Sequence, residues 1–195
     1  MKKRLVGVFS DQPQSGKSTF TEILIDACRQ NDIDTLQICF ATPVKETLLT
    51  LLKQLGEPNP VAYLWDNKKD VVIPTVGITG GQLMSTFATD YMRAINPDIW
   101  LNVTKREYTN LKNFNGLVII DDLRFSNEWT WIDDQISWIV KIDRPDLSHT
   151  RSEMSEGQLK GFGYNYIVHN NCEKEKFLEQ CKLIARDIVG CFLFS

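Results

Sequence analysis

The sequence predicts an α/β fold, a parallel sheet covered by helices on both faces, and three observations point there. Five short apolar runs, at residues 5–9, 35–40, 117–120, 136–142 and 166–168, alternate with amphipathic helical stretches. The first runs into Asp11-Gln12-Pro13-Gln14-Ser15-Gly16-Lys17-Ser18-Thr19 and then a helical pattern. Strand, tight loop, Gly-Lys-Ser and helix together are the context in which backbone amides and a helix dipole hold phosphate. The third run ends in the paired acids Asp121-Asp122.

At 195 residues the chain suits one domain, taken as residues 1–195, with inserts at 57–80 and 144–163. Hydrophobic residues make up 43% and charged residues 24%, as in an ordinary soluble protein. A net charge of -3 argues against a binder of polymeric nucleic acid, which would carry a basic face. Met1-Lys2-Lys3-Arg4 opens like a leader. The apolar run after it is short and ends at Ser10-Asp11, so no secretory or membrane segment is expected, and the expected location is cytoplasmic. Five cysteines without a C-x-x-C pair read as small apolar residues in a reducing compartment.

After the loop, Phe20, Ile23, Leu24, Ala27 and Cys28 share one helical face. The second strand leads to Ala41-Thr42-Pro43, with proline at the start of a helix whose stripe is Val44, Leu48, Leu51, Leu52 and Leu55, ending at Gly56. Lys45 in its first turn is either solvated or anion-binding. Residues 57–80, punctuated by Pro58, Pro60, Pro74, Gly77 and Gly80, read as an excursion or flexible arm. Tyr63 and Trp65 there read as packing in preference to stacking on a base.

Residues 81–95 read as a helix with Leu83, Met84, Phe87, Tyr91 and Ile95 as its apolar members, and Arg93 near its end. Asn96-Pro97-Asp98 breaks that helix and caps the next, which carries Trp100, Val103, Thr104, Tyr108 and Leu111. An acid at the tip of the third strand, Asp122, can bind a magnesium shell or orient an attacking group. Arg124 just past it stands where ligands bind in open α/β sheets and can grip a phosphate in bidentate fashion. The polar stretch 144–163 fits a lid that closes over phosphates and brings arginines with it. A closing amphipathic helix ends in an apolar tail that would suit a dimer contact.

The quotable pieces are Gln14-Ser15-Gly16-Lys17, Phe40-Ala41-Thr42-Pro43-Val44-Lys45, Leu83-Met84, Ala88-Thr89-Asp90 and Arg93. They continue with Asn96-Pro97-Asp98-Ile99-Trp100, Asp122-Leu123-Arg124-Phe125-Ser126-Asn127-Glu128, Ile142-Asp143-Arg144-Pro145 and Tyr164-Asn165-Tyr166-Ile167-Val168. In this order and spacing the chain resembles, over nearly its whole length, the deoxynucleoside monophosphate kinases of tailed bacteriophages. The resemblance implies a P-loop kinase three-layer sandwich with a five-stranded parallel sheet in the order 2-3-1-4-5, an acceptor-binding arm and a lid. It implies transfer of a phosphoryl group from ATP, with magnesium, to a deoxynucleoside monophosphate, in the host cytoplasm.

By that resemblance Gln14, Ser15, Gly16, Lys17, Ser18 and Thr19 bind ATP, and Ser18 and Asp122 serve the magnesium ion. Lys17, Asp122, Arg124, Arg144 and Arg151 are the catalytic set. Lys45, Thr89, Asp90, Arg93 and Arg124 belong to the acceptor, with Arg144 and Arg151 expected to arrive on lid closure. There are departures. Asp11 replaces the loop's first glycine, Ala88 stands where glycine is usual, and His149 is displaced from Ser152-Glu153 and Ser155-Glu156. Two rival readings stay open: a P-loop kinase for another small acceptor, and a non-catalytic nucleotide-binding protein, which Asp11 favours.

Overall fold

A computed structural model describes residues 4–66, 68–111, 113–135, 137–145, 158–171 and 173–194. Its strands are β1 (Leu5–Phe9), β2 (Thr35–Gln37), β3 (Leu117–Leu123), β4 (Ser137–Asp143) and β5 (Tyr166–His169). Its helices are α1 (Lys17–Arg29), α2 (Thr42–Gln54), α3 (Pro60–Leu64), α4 (Gly80–Ser85), α5 (Arg93–Ile95), α6 (Ile99–Asn110), α7 (Ser126–Asp133) and α8 (Lys174–Phe194). A π-helical stretch, Thr86–Met92, joins α4 to α5. Backbone contacts divide the chain into two units, Met1–Cys39 with Leu111–Ser195, and Phe40–Asn110.

The first unit is built on the sheet. All strands pair in parallel in the order β2-β3-β1-β4-β5, the expected order. β2 is shorter than its apolar run, although Ile38 still donates to the Ile119 carbonyl at 2.9 Å. Alternation decides which helix each strand residue meets. Val6 and Val8 of β1, with Leu117, Ile119, Trp138, Val140 and Ile142, face a core filled by Phe20, Leu24 and Cys28 of α1 and by Phe177, Cys181, Ala185 and Ile188 of α8. On the other face Gly7 looks onto Ile132 of α7. Helices therefore cover both faces. Each fully buried Leu, Val or Phe here contributes about 1.5–3 kcal/mol, which is why every residue of β1 is buried.

Cys28 and Cys181 are free thiols within that core, and burial pushes them up to about 11 and about 12 respectively. Cys191 is exposed and Cys39 is half-buried; Cys172 lies outside the described residues. The end of the expected lid, from residue 158 on, packs onto α7. Leu159 is buried, the Trp129 indole donates to the Gly163 carbonyl at 3.1 Å, and its ring meets Phe162 edge-on at 5.0 Å. No described helix is long and apolar enough to cross a membrane.

The second unit has its own core of Val44, Leu48, Leu52, Tyr63, Leu64, Ile73 and Trp100. Residues 57–80 contribute α3 and Ile73 to it, and the buried Glu57 carboxylate accepts from the Thr75 hydroxyl at 3.2 Å. Tyr63 is packed, as expected, and Trp65 lies beneath the Lys45 ammonium at 5.4 Å. Gly80 is required by close approach, because a methyl group there would sit 1.9 Å from the Tyr63 carbonyl oxygen.

Two apolar stripes are narrower than the sequence suggests. In α2, Val44, Leu48 and Leu52 fill the core at steps of four, leaving Leu51 and Leu55 a position off the stripe and exposed. Tyr91 and Ile95 are also exposed, at 63% and 67%. The expected helix is interrupted by the π-helical turns, which carry an extra residue each and rotate the following positions off the face that a 3.6-residue period assigns them. The Trp100 indole meets this stretch, donating to the Ala88 carbonyl at 3.1 Å.

Candidate phosphate-binding site

The loop after β1 is shaped from behind. Gln14 and Gly16 have positive φ, 52° and 105°, and Gly16 caps α1 in the left-handed region. The Arg144 guanidinium donates to the Gln14 carbonyl at 2.8 Å, and the Asn170 side-chain amide donates to the Ser15 carbonyl at 2.8 Å. Each trans peptide places the next N–H opposite its C=O. Drawing those two carbonyls back onto the ends of β4 and β5 thus turns the amides of Ser15 and Gly16 the other way. No side chain caps the N-terminus of α1, so its dipole adds partial positive charge at the same place. Successive outward amides at a helix start make an anion-binding nest.

Gly16 cannot be replaced cheaply. A methyl group there would lie 2.7 Å from Phe177 Cζ, and the φ of 105° is strained for any L side chain. Gly16→Ala is expected to destabilise the fold by about 1–3 kcal/mol and to weaken anion binding, read by denaturant unfolding with and without ATP.

Of the expected ATP ligands, Ser15 is buried, Lys17 and Thr19 are half-buried and Ser18 is exposed. Asp11 pairs with Lys141 of β4 at 2.7 Å. Asp11 Oδ1, Gln12 Oε1 and Ser15 Oγ are buried and find no hydrogen-bond partner among the described residues.

The acids at the end of β3 are brought together by an irregularity. Gly7 pairs with Ile120 but Phe9 pairs with Leu123, so two steps along β1 face three along β3. In a regular strand Asp121 and Asp122 would point to opposite faces; a bulge removes that alternation. Cys39 Sγ and one carboxylate oxygen from each aspartate lie within 4.8 Å of one another. The two carboxylates are hard oxygen donors that suit magnesium, whereas a thiol does not. The Cys39 thiol instead donates to Asp121 Oδ1 at 3.7 Å.

Arg124 follows directly. Its backbone N–H and that of Phe125 both donate to Glu128 Oε2, each at 3.0 Å, and Glu128 is buried. The Phe125 side chain has no acceptor to return, and the Glu128 N–H is taken by Asn127 Oδ1 at 3.0 Å. Glu128→Ala leaves two N–H groups without their charged acceptor. It is expected to cost about 2–3 kcal/mol of stability, measured by chemical denaturation, and to loosen Arg124.

Arg144, expected to come with a closing lid, is held at the loop one residue past β4 through its bond to Gln14. Beside it, Asp143 Oδ2 meets His169 Nδ1 at 3.2 Å. Arg151 and most of the expected lid lie outside the described residues. Within the second unit, Lys45 sits in the first turn of α2, Thr89 and Asp90 lie on the π-helical stretch, and Arg93 donates to the Pro97 carbonyl at 3.0 Å.

Six residues at the site carried no assignment from sequence: Cys39, Asp121, Glu128, Lys141, Asn170 and Phe177. Asp121 had a signal, its place in an acid pair. Glu128 had the capping-box position three residues after Phe125. Lys141, Asn170 and Phe177 reach the loop, and Cys39 reaches the acid pair, only through strand register and helix packing.

A loop between β1 and α1 ending in Gly16-Lys17-Ser18, an acid-tipped β3 beside it and the order β2-β3-β1-β4-β5 make up the parallel, helix-covered α/β arrangement that the sequence predicts. No family model matches the chain. A protein of Acanthamoeba polyphaga mimivirus, provisionally named a deoxynucleotide monophosphate kinase, is 26% identical over 177 residues, covering 85% of this chain and 88% of its own. Among solved structures, a mutant of the Mycobacterium tuberculosis APS kinase CysC aligns over 97% of this chain and 98% of its own, with 11% identity and a TM-score of 0.48. Dephospho-CoA kinase from Campylobacter jejuni aligns over 95% and 97%, with 13% identity and a TM-score of 0.41.

Proposed function

We propose that this chain transfers the γ-phosphoryl group of ATP to a deoxynucleoside monophosphate, giving the diphosphate and ADP. The observation that carries the reading is the loop itself. Its carbonyls are drawn back by Arg144 and Asn170 at 2.8 Å each, beside a strand that ends in two converging carboxylates. The named viral relative supports the acceptor.

In this reading the loop amides and Lys17 hold the β- and γ-phosphates, and Ser18 and Asp122, with Asp121, hold magnesium. Held there, magnesium would supply positive charge to offset that of the phosphates. An oxygen of the acceptor's phosphate attacks the γ-phosphorus, its bond to the bridging oxygen breaks, and ADP leaves with that electron pair. The acceptor is already anionic, so no general base is needed; positioning and charge stabilisation do the catalysis. Arg124 grips the acceptor's phosphate; Arg93, Lys45, Thr89 and Asp90 keep the acceptor roles that the sequence resemblance assigns them. Arg144 and Arg151 neutralise the transferring group.

The test is a coupled ADP-release assay over the common deoxynucleoside and nucleoside monophosphates, with small non-nucleotide acceptors alongside. Turnover on at least one deoxynucleoside monophosphate is expected. Turnover only on another acceptor would replace the substrate, and none on any acceptor would leave a nucleotide-binding protein.

A further inference from the structure

Asp11 stands where a phosphate-binding loop has its first glycine, and a carboxylate there faces a polyanion. One oxygen of Asp11 is buried without a hydrogen-bond partner among the described residues, so it is not relieved by turning to water. Its other oxygen is 2.7 Å from Lys141 Nζ, with the two side chains only 25% and 16% exposed. Lys141 is itself out of place by ordinary rules. It lies in the middle of a strand whose neighbours Val140 and Ile142 are fully buried. A lysine in such a strand is costly unless it is paired.

Register brings the two residues together. Lys141 pairs with Phe9, the last residue of β1, so its long side chain reaches two residues onward into the loop. On the way the ammonium passes 6.0 Å from the centre of the Phe9 ring. Each of two unfavourable residues, an acid in a phosphate loop and a cation in a core strand, is thereby explained by the other.

We propose that Lys141 is a positioning residue for the phosphate loop: by pairing with Asp11 it holds that carboxylate and cancels the charge that Asp11 would present to the triphosphate. The pair does the work of the absent glycine. This inference rests on the phosphate-binding reading of the loop given above.

Calorimetric titration of the full chain with ATP, ADP and AMP tests it, beside Lys141→Met, Lys141→Arg, Asp11→Asn and the double variant Asp11→Asn/Lys141→Met. Lys141→Met is expected to weaken ATP binding by about tenfold or more, ADP less and AMP least, because the bared carboxylate repels in proportion to ligand charge. Lys141→Arg and the double variant are expected to stay within about threefold of the original affinity. A loss equal for all three nucleotides would indicate a purely structural role and overturn the inference, as would unchanged binding by Lys141→Met or no recovery in the double variant. Should Lys141→Met fail to fold, Asp11→Asn decides: it is expected to bind ATP at least as tightly as the original chain, and weaker binding overturns the proposal. If the original chain binds none of the three, the phosphate-loop reading falls first and the inference with it.

Discussion

Lys17→Met is expected to lower turnover by about 10² to 10³-fold while leaving the fold intact. Lys17 is the first residue of α1, in the turn where the helix dipole already presents positive charge. A cation at a helix N-terminus is unfavourable by about 0.3–1 kcal/mol, so the dipole favours the variant in the empty protein. That placement suits a residue that meets an anion. The expected signature is stability within about 1 kcal/mol of the original, by denaturant unfolding, together with lost activity and weakened ATP binding. A fully active Lys17→Met would remove the loop from the chemistry.

Asp122→Asn is expected to cost about 10²-fold or more in turnover and to raise the magnesium concentration needed for half-maximal rate. The bulge in β3 brings carboxylate oxygens of Asp121 and Asp122 within 4.8 Å of each other, and like charges that close repel. A divalent ion relieves the repulsion. Magnesium alone should therefore raise the Tm of the original chain, and the rise should shrink in Asp122→Asn. Without magnesium, Asp122→Asn should be as stable as the original or more so. Losses from Asp121→Asn and Asp122→Asn should not add, since groups that hold one ion act as a unit. An unchanged magnesium requirement in Asp122→Asn would take the ion elsewhere.

The strands were legible because apolar runs and helical periods are local properties, whereas their order came from the resemblance, since no local pattern carries it; alternation along β1 and β4 then fixed which helices each face received. The loop was legible for the same reason, as strand, turn and helix follow one another in the chain. The π-helical turns at Thr86–Met92 were not, because no residue pattern there departs from an ordinary helix, and Tyr91 and Ile95 were counted among the apolar members of one helix in consequence. Lys141 and Asn170 were out of reach for a different reason. Their partners Asp11 and Ser15 lie at the other end of the sequence, and only the β1–β4–β5 register aligns them. Asp121 stood in plain view beside Asp122, but a regular strand turns one of two adjacent acids away, and the bulge that prevents this has no local signature. The doubt raised by Asp11 alone is met by a cation at 2.7 Å.

The most direct measurement follows the phosphoryl group itself. The chain is incubated with magnesium, γ-labelled ATP and each deoxynucleoside monophosphate in turn, and the products are separated. Label is expected in a deoxynucleoside diphosphate with the original chain and to be absent from it with Lys17→Met. Label that reaches only inorganic phosphate, or that reaches the diphosphate equally with Lys17→Met, would contradict phosphoryl transfer at this loop.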